Sequence, residues 1–317
     1  MITVWFVVIA FLWTGYFVLE GFDFGVGALL PFVTRTPAER AQAVATIGPV
    51  WDGNEVWLVT AVGSMFAAFP AWYSGFLSAF YLPMLLIVVA LIIRGVGLEW
   101  RGKVHGPREV ALCDAGLVGG SALAAFLWGA VFGGLLLGSA RAAVLGGILS
   151  LGMAVLHGAV FLALKTTGPV RARARTAALL TSVAAIPVAA VALPSLPGAS
   201  APAAPGWAAS PWLWAAAVAA MATLASAAAL TWRRREAWAF AATAATIALT
   251  TATVFGALHP APLPGLAPGL TVASAASAPY TLTMLTWIAA LALPGVLAYQ
   301  SWTYWIFRKR VILRHPQ

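Results

Sequence analysis

The sequence predicts an all-α polytopic membrane protein with nine transmembrane helices. Of its 317 residues, 62% are hydrophobic and only 9% are charged, and the mean hydropathy is +0.92. A soluble domain carries roughly 25% charged residues. The long apolar runs lack the alternation of β-barrel strands. Nothing of domain size remains outside these runs, so residues 1–317 form a single transmembrane domain.

Each apolar run of about 20 residues defines one predicted span. The 57 residues 176–232 and the 71 residues 237–307 contain no Asp, Glu, Lys or Arg, and a Pro- and Gly-rich patch divides each of them into two spans. No basic residue precedes the first span, so we expect it to be retained rather than cleaved as a signal peptide. The predicted spans are residues 3–30, 50–69, 75–98, 112–138, 142–164, 177–196, 211–232, 237–258 and 280–307.

The basic residues predict the orientation of these spans. Sixteen of the 18 Lys and Arg residues follow odd-numbered spans: Arg35, Arg40, Arg101, Lys103, Arg108, Lys165, Arg171, Arg173, Arg175, Arg233, Arg234, Arg235, Arg308, Lys309, Arg310 and Arg314. Lys and Arg accumulate in short cytoplasmic loops, which places the amino terminus outside and the carboxyl terminus in the cytoplasm. The net charge of +9 is dispersed among these loops, and we therefore expect no nucleic-acid partner.

Six ionisable residues lie inside the first three spans or at their ends. They are Glu20 and Asp23, Asp52 and Glu55, and Arg94 and Glu99. An Asp or Arg at the centre of a membrane helix costs roughly 3 kcal/mol on insertion scales unless it is paired or hydrated. The predicted topology places all six in the cytoplasmic half of the membrane. We therefore predict a proton-conducting or ion-binding half-channel that opens to the cytoplasm.

The local spacing supports this prediction but leaves an alternative open. Glu20 and Asp23 are three residues apart, as are Asp52 and Glu55, so each pair shares a helix face. Carboxylates so close together favour proton uptake by one of them. In the alternative, these residues are ordinary helix-end groups: Asp52 caps a helix, Arg94 extends toward the interface, and Glu99 pairs with Arg101 or Lys103.

The candidate cofactor ligands are few. His157 is the only histidine well inside a span, and we expect it to be hydrogen-bonded in the interior rather than bound to haem. Cys113 is the only cysteine, which excludes an intrachain disulfide and a cysteine-ligated iron–sulfur cluster. No GxxxxGK phosphate loop is present. We predict that this chain has no catalytic residue and binds neither a cofactor nor a metal.

Three sequence blocks resemble a known family. Residues 15–27 read GYFVLEGFDFGVG, residues 47–57 read IGPVWDGNEVW, and residues 94–101 read RGVGLEWR. These blocks are similar to signatures of subunit II of cytochrome bd-type ubiquinol or menaquinol oxidases. Weaker similarity extends over nearly the whole chain, including MFAAFP at residues 65–70.

The resemblance implies a function in a respiratory complex. Subunit II of this family has nine helices, carries no haem and forms a heterodimer with subunit I, which is expected to hold b- and d-type haems and the quinol. The complex oxidises quinol and reduces dioxygen to water in the bacterial inner membrane. Small accessory subunits, lipid and quinone are further partners compatible with the resemblance.

The resemblance also implies roles for individual residues. Asp52 and Glu99 are expected to pass cytoplasmic protons toward subunit I, while Asp23 and Arg94 pair with each other as the polar wall of the path. Glu20 stands at a position that is acidic in relatives, whereas relatives can have Gln at the position of Glu55. Trp57 is expected near an oxygen access route.

Two other functions remain open at this stage. A stand-alone proton-coupled membrane carrier would use the same acids, but such carriers more often contain an internal repeat, and the acidic cluster has no second copy after residue 115. A purely structural subunit would use the acids only to bind subunit I.

Overall fold

The computed structural model describes residues 1–200 and 210–312, so Arg314 and most of the loop before residue 211 lie outside the described residues. The described part is α-helical, and its only β-type contact is an isolated bridge between Thr166 and Val311. The helices are α1 (Ile2–Val33), α2 (Pro37–Ile47), α3 (Trp51–Ala68), α4 (Pro70–Ala79), α5 (Tyr81–Trp100), α6 (Pro107–Leu137), α7 (Ala140–Lys165), α8 (Gly168–Ala192), α9 (Pro211–Trp232), α10 (Glu236–Leu258), α11 (Val272–Ala275) and α12 (Pro279–Ile306).

Eight helices in the described ranges are long and apolar enough to cross a membrane. They are α1, α5, α6, α7, α8, α9, α10 and α12. Helix α3 is not among them, although it lies where the second span is predicted. Its first turns contain Asp52, Asn54 and Glu55, which lower its hydropathy. The chain is therefore an all-α polytopic membrane protein.

Helix α1 lies at the centre of the bundle and packs against α3, α6, α7 and α10. Its close approach to α7 depends on glycine, because a Cβ on Gly25 would lie 1.9 Å from the carbonyl oxygen of Ala154. Lipid gives helices no hydrophobic reason to associate, so small residues that let backbones meet are typical of membrane bundles. Trp13, Tyr16 and Trp128 fill the interface between α1 and α6 as edge-on aromatic pairs.

Helix α2 lies between two predicted spans, in a segment for which no helix was predicted. Thr36 accepts a hydrogen bond from the backbone N–H of Glu39, whose carboxylate accepts one from the N–H of Thr36, and Pro37 occupies the first turn. This reciprocal arrangement is a capping box.

Two further helix boundaries differ from the predicted spans. The span predicted at residues 75–98 is divided at Phe80 into α4 and α5, because Pro83 lacks the N–H that would bond the carbonyl of Ala79. Helix α8 begins at Gly168, nine residues before the predicted start at residue 177. The arginines of its first turns are paired with Glu39 and Glu236, so this charged segment continues the helix.

Helix α12 lies at the edge of the bundle, and Leu282 is its only buried residue. Polar contacts attach it instead. The indole N–H of Trp5 donates to the carbonyl oxygen of Leu282 and to the hydroxyl of Thr286, at 3.2 and 3.0 Å. Beyond the other end of α12, the amide of Gln42 donates to the carbonyl oxygen of Val311 at 2.9 Å.

Candidate functional site

Four of the six predicted site residues lie together in the interior of the helix bundle. They are Glu20 and Asp23 from α1, Glu55 from α3 and Arg94 from α5, and we call them the charge cluster. Glu20, Asp23 and Arg94 have no exposed surface, and the side chain of Glu55 is about one quarter exposed.

Arg94 binds two of the carboxylates. Its Nη1 atom lies 2.5 Å from Oε1 of Glu20 and 2.8 Å from Oε1 of Glu55. The guanidinium also lies 5.1 Å from the ring centroid of Phe24, which adds a cation–π contact. Gly120 of α6 gives this side chain room, because a Cβ there would lie 2.9 Å from Cβ of Arg94.

The expected ion pair between Asp23 and Arg94 is therefore wrong. Asp23 instead accepts a hydrogen bond from Nδ2 of Asn54 at 2.7 Å. Glu20 lies one turn before Asp23 on the same face and has the longer side chain, so its carboxylate reaches the guanidinium. The spacing in the sequence placed both acids on one face but could not select the partner.

The charge cluster is incompletely paired within the described residues. Oε2 of Glu20, Oδ1 of Asp23, and Nε and Nη2 of Arg94 are buried without a hydrogen-bond partner. Three carboxyl groups share one guanidinium, so full ionisation would leave excess negative charge in a low-dielectric interior. Burying an unpaired charge costs several kcal/mol. The arrangement is thus chemically suited to holding a proton.

The structure places Asp52 and Glu99 at helix ends rather than in the interior. Asp52 is exposed in the first turn of α3, one turn before Glu55. Glu99 is exposed near the end of α5 and pairs with Lys103 at 3.4 Å, as the helix-end alternative expected. Of these two residues, only Asp52 is adjacent in the helix to a member of the charge cluster.

Sequence reasoning missed three polar side chains beside Asp23. Oδ1 of Asn54 accepts hydrogen bonds from Nε2 of Gln300 at 3.0 Å and from the hydroxyl of Tyr304 at 2.9 Å. Asn54 lies in the WDGN block, and Gln300 is a polar residue inside an otherwise apolar span. These were the available signals, but the pairing joins residues about 250 positions apart.

Trp57 borders a cavity of about 420 Å³ between α1, α3 and α12. Leu19, Gln300 and Tyr304 also line it, so the cavity adjoins the polar side chains next to Asp23. A second cavity, of about 360 Å³, lies between α1, α6, α7 and α10 and is lined mainly by apolar side chains such as Phe17, Trp128 and Ile247.

The acids at the helix ends form a separate set of ion pairs. Asp114 accepts from Arg40 at 2.7 Å and from Arg101 at 2.6 Å. Glu236 accepts from Arg171 at 2.8 Å. These contacts connect α2, α5, α6, α8 and α10, and we assign them to the attachment of helix ends.

The candidate haem ligand His157 is already hydrogen-bonded. Nδ1 of His157 lies 2.7 Å from the Thr243 hydroxyl, and its Nε2 lies 3.1 Å from the carbonyl oxygen of Val18. His157 is thus an interior hydrogen-bonded residue, as expected. Across residues 1–200 and 210–312, no group of three or more His, Cys, Asp or Glu residues is placed to hold a metal ion.

The comparisons with known proteins assign the chain to a family. The family described as "Cytochrome bd terminal oxidase subunit II" matches residues 1–307. "Cytochrome bd ubiquinol oxidase subunit 2" of Bacillus subtilis (strain 168) is 35% identical over 332 residues, covering 98% of this chain and 97% of that protein. "Cytochrome bd-I ubiquinol oxidase subunit 2" of Escherichia coli (strain K12) is 32% identical, with 95% and 93% covered.

A solved structure supports the fold. The bd oxidase from Geobacillus thermodenitrificans contains a chain that superposes with a TM-score of 0.72 at 18% identity, covering 96% of this chain and 98% of that one. The family match over residues 1–307 and the two relatives show that the chain belongs to the cytochrome bd terminal oxidase subunit II family.

Proposed function

We propose that this chain is the haem-free subunit II of a bd-type quinol oxidase and that it supplies cytoplasmic protons to a haem-bearing subunit I. The partner would carry the b- and d-type haems, which oxidise quinol and reduce dioxygen to water. That reduction consumes protons, so a buried path for them serves the reaction directly. The charge cluster is the observation that carries this proposal.

The proposed path starts at Asp52. This exposed carboxylate lies one turn from Glu55. Glu55 and Glu20 both bind Nη1 of Arg94, which stays protonated and holds the two carboxyl groups close together. Asp23, one turn from Glu20 on the same face of α1, is a further proton-carrying group of the path. Neighbouring carboxyl groups at such spacing can pass a proton by short transfers. Glu99 is a second, more distant entry point, because its contact is with Lys103 at the surface.

We also propose nine spans, with the amino terminus outside. Helix α3 has 18 residues, and at about 1.5 Å per residue it is about 27 Å long, close to the thickness of the hydrocarbon core. Asn54 and Glu55 turn toward the protein rather than the lipid, so α3 can span despite its polar residues. The orientation follows from the Lys and Arg loops.

The two cavities have proposed occupants of their own. The cavity bordered by Trp57 is a candidate oxygen access route, because it opens between apolar helices beside the charge cluster. The apolar cavity of about 360 Å³ has the size and lining for the tail of a lipid or quinone.

The proton path is tested with Glu20→Gln and Asp52→Asn in the complete oxidase. Gln keeps the length of Glu20, and Arg94 keeps Glu55, so the complex should assemble with a normal haem spectrum. We expect quinol-driven oxygen uptake to fall on the order of a hundredfold, as for loss of a proton-transfer group. Glu109→Gln, an exposed acid at the start of α6, is the matched control and should leave turnover unchanged.

Assembly of these variants, and the proteins that co-purify with the chain, separate the other functions. If the two variants assemble poorly but each assembled complex turns over normally, the acids serve only to bind subunit I. If the chain purified from its native membrane is colourless and single, without a haem-containing companion, it is a stand-alone carrier.

A further inference from the structure

Asn54 is a fully buried residue that the proposed proton path does not use. Its side chain has four polar neighbours. Nδ2 donates to Oδ2 of Asp23 at 2.7 Å and approaches the carbonyl oxygen of Leu19 at 3.4 Å. Oδ1 accepts from Gln300 and from Tyr304. Both ends of the amide are therefore engaged within the membrane.

These neighbours fix the orientation of the amide. The carbonyl oxygen of Leu19 can only accept a hydrogen bond, so the NH₂ group of Asn54 must face it and Asp23. A flipped amide would place Oδ1 against two other oxygen atoms. With the NH₂ group so directed, Oδ1 faces α12, and the hydroxyl of Tyr304 must donate to it.

We propose that Asn54 is a positioning residue that holds Asp23 in its orientation for proton transfer, and that Gln300 and Tyr304 of α12 fix Asn54 in turn. The inference rests on the proposed proton path. Asn54 engages Oδ2 of Asp23, while Oδ1 is buried without a partner in the described residues. Oδ1 is then the oxygen that takes up and releases the proton.

Helix α12 thereby helps to position the proton path. Gln300 and Tyr304 are four residues apart and so share one face of α12. The only buried residue of α12, Leu282, lies near its other end. The contact with Asn54 thus connects the second half of this helix to the charge cluster through hydrogen bonds rather than through a packed apolar surface.

A double-mutant cycle in the assembled oxidase tests the inference. The variants are Asn54→Leu, Asp23→Asn and their combination, each measured for quinol-driven oxygen uptake per haem. Leu has the same branched heavy-atom skeleton as Asn, is larger because of its two methyl groups, and removes both hydrogen-bonding functions. We expect Asn54→Leu alone to lower turnover about tenfold, and to lower it no further when Asp23 is already Asn, because Asn54 acts through Asp23.

Several outcomes would overturn the inference. If Asn54→Leu lowers turnover by the same factor in the Asp23→Asn background as in the wild type, Asn54 does not act through Asp23. Slow turnover in Asp23→Asn combined with normal turnover in Asn54→Leu refutes the positioning role but leaves the proposed function intact. Normal turnover in Asp23→Asn removes Asp23 from the path, and both the path through it and this inference then fail.

A double variant of α12 tests the positioning role of Asn54 if Asn54→Leu does not assemble. Gln300→Met with Tyr304→Phe frees the amide of Asn54 without changing Asn54 itself. Tyr299→Phe, at an exposed position of the same helix, is the matched control. We expect the double variant to slow turnover and to shift the carboxyl C=O stretching band that Asp23→Asn abolishes in infrared difference spectra. Unchanged turnover and an unchanged band would overturn the inference.

Discussion

Arg94 determines the electrostatics of the membrane interior in this chain. A guanidinium without exposed surface loses its hydration, and the attraction to Glu20 and Glu55 offsets that loss. Arg suits this position because its planar group remains charged, and its Nη1 atom contacts both carboxylates. In the same low-dielectric interior, removal of either partner leaves the other as an unpaired buried charge, which costs free energy.

Removal of Arg94 should therefore destabilise the complex strongly. We expect Arg94→Met to cost about 3–5 kcal/mol, the usual effect of breaking a buried ion pair. The combination Arg94→Met/Glu20→Gln/Glu55→Gln should recover most of the lost stability, because it also removes the two carboxylates that Arg94→Met leaves without a cation. Thermal unfolding of the purified oxidase measures both effects.

A surface ion pair provides the control for this comparison. Lys103 pairs with Glu99, and both side chains are more than half exposed. Lys103→Met should change stability by less than about 1 kcal/mol. If the triple variant is as unstable as Arg94→Met alone, the stranded charges are not the cause of the loss.

The sequence predicted the existence of this cluster better than its internal pairing. Ionisable residues in apolar spans are expensive, so their burial against one another followed from composition and spacing. Which acid meets Arg94 depends on helix rotation and side-chain reach, which spacing does not define. Asn54 was harder still to recognise, because its partners Gln300 and Tyr304 are neutral residues in the last span.

At the scale of elements, the short helix α2 links the ends of its neighbours. Arg173 of α8 lies 2.5 Å from the carboxylate of Glu39 and also donates to the carbonyl oxygen of Val33 at 2.8 Å. The carboxylate of Glu39 further accepts from the backbone N–H of Arg35 at 2.7 Å. One acid thus attaches α2 to α8 and to the end of α1.

This contact should depend on pH. The hydrogen bond from Arg173 lowers the pKa of Glu39 below its ordinary value, although burial opposes this change. A lowered folded-state pKa means that the contact contributes fully above the ordinary Glu pKa of about 4.3 and is lost as the pH falls through the lowered value. The protection of the α2 amides against hydrogen exchange, relative to the intrinsic exchange rate at each pH, should therefore fall on acidification.

The Glu39→Gln variant supplies the reference for that measurement. Because Gln does not titrate, its α2 amides should exchange faster than wild type at neutral pH, and the difference should vanish in acid. Comparison at each pH cancels the intrinsic pH dependence of exchange. A difference that persists unchanged in acid would contradict the assignment to the carboxylate of Glu39.

The helices themselves were predicted well where hydropathy alone decides them. Sequence signals that were present but unused account for two of the differences: the Thr36-to-Glu39 capping pattern marks α2, and Pro83 marks the break before α5. The early start of α8 has only Pro169 in its first turn as a local signal. Its arginines are tolerated in a helix because acids on other elements neutralise them, a long-range property that a local pattern does not contain.

At the scale of the whole molecule, α3 must meet two requirements that a hydropathy profile averages together. As a span it must be apolar toward lipid, and as a wall of the charge cluster it must be polar toward α1. Val56 and Val59 are exposed, whereas Asn54 is buried. This division between faces supports a ninth span, which would place the two ends of the chain on opposite sides of the membrane.

Cysteine labelling can measure directly whether the number of spans is odd or even. In a Cys113→Ala background, a single cysteine is introduced at Thr3 or at Ile312, both of which are exposed in the structure. Nine spans with an external amino terminus predict that a membrane-impermeant maleimide labels Thr3→Cys in intact spheroplasts, whereas Ile312→Cys reacts only after the membrane is opened. Labelling of both positions from the same side would mean an even number of spans and would remove α3 from the membrane. The proposed entry at Asp52 requires the end of α1 to face the cytoplasm, so labelling of Thr3→Cys only after the membrane is opened would also overturn the direction of the proton path.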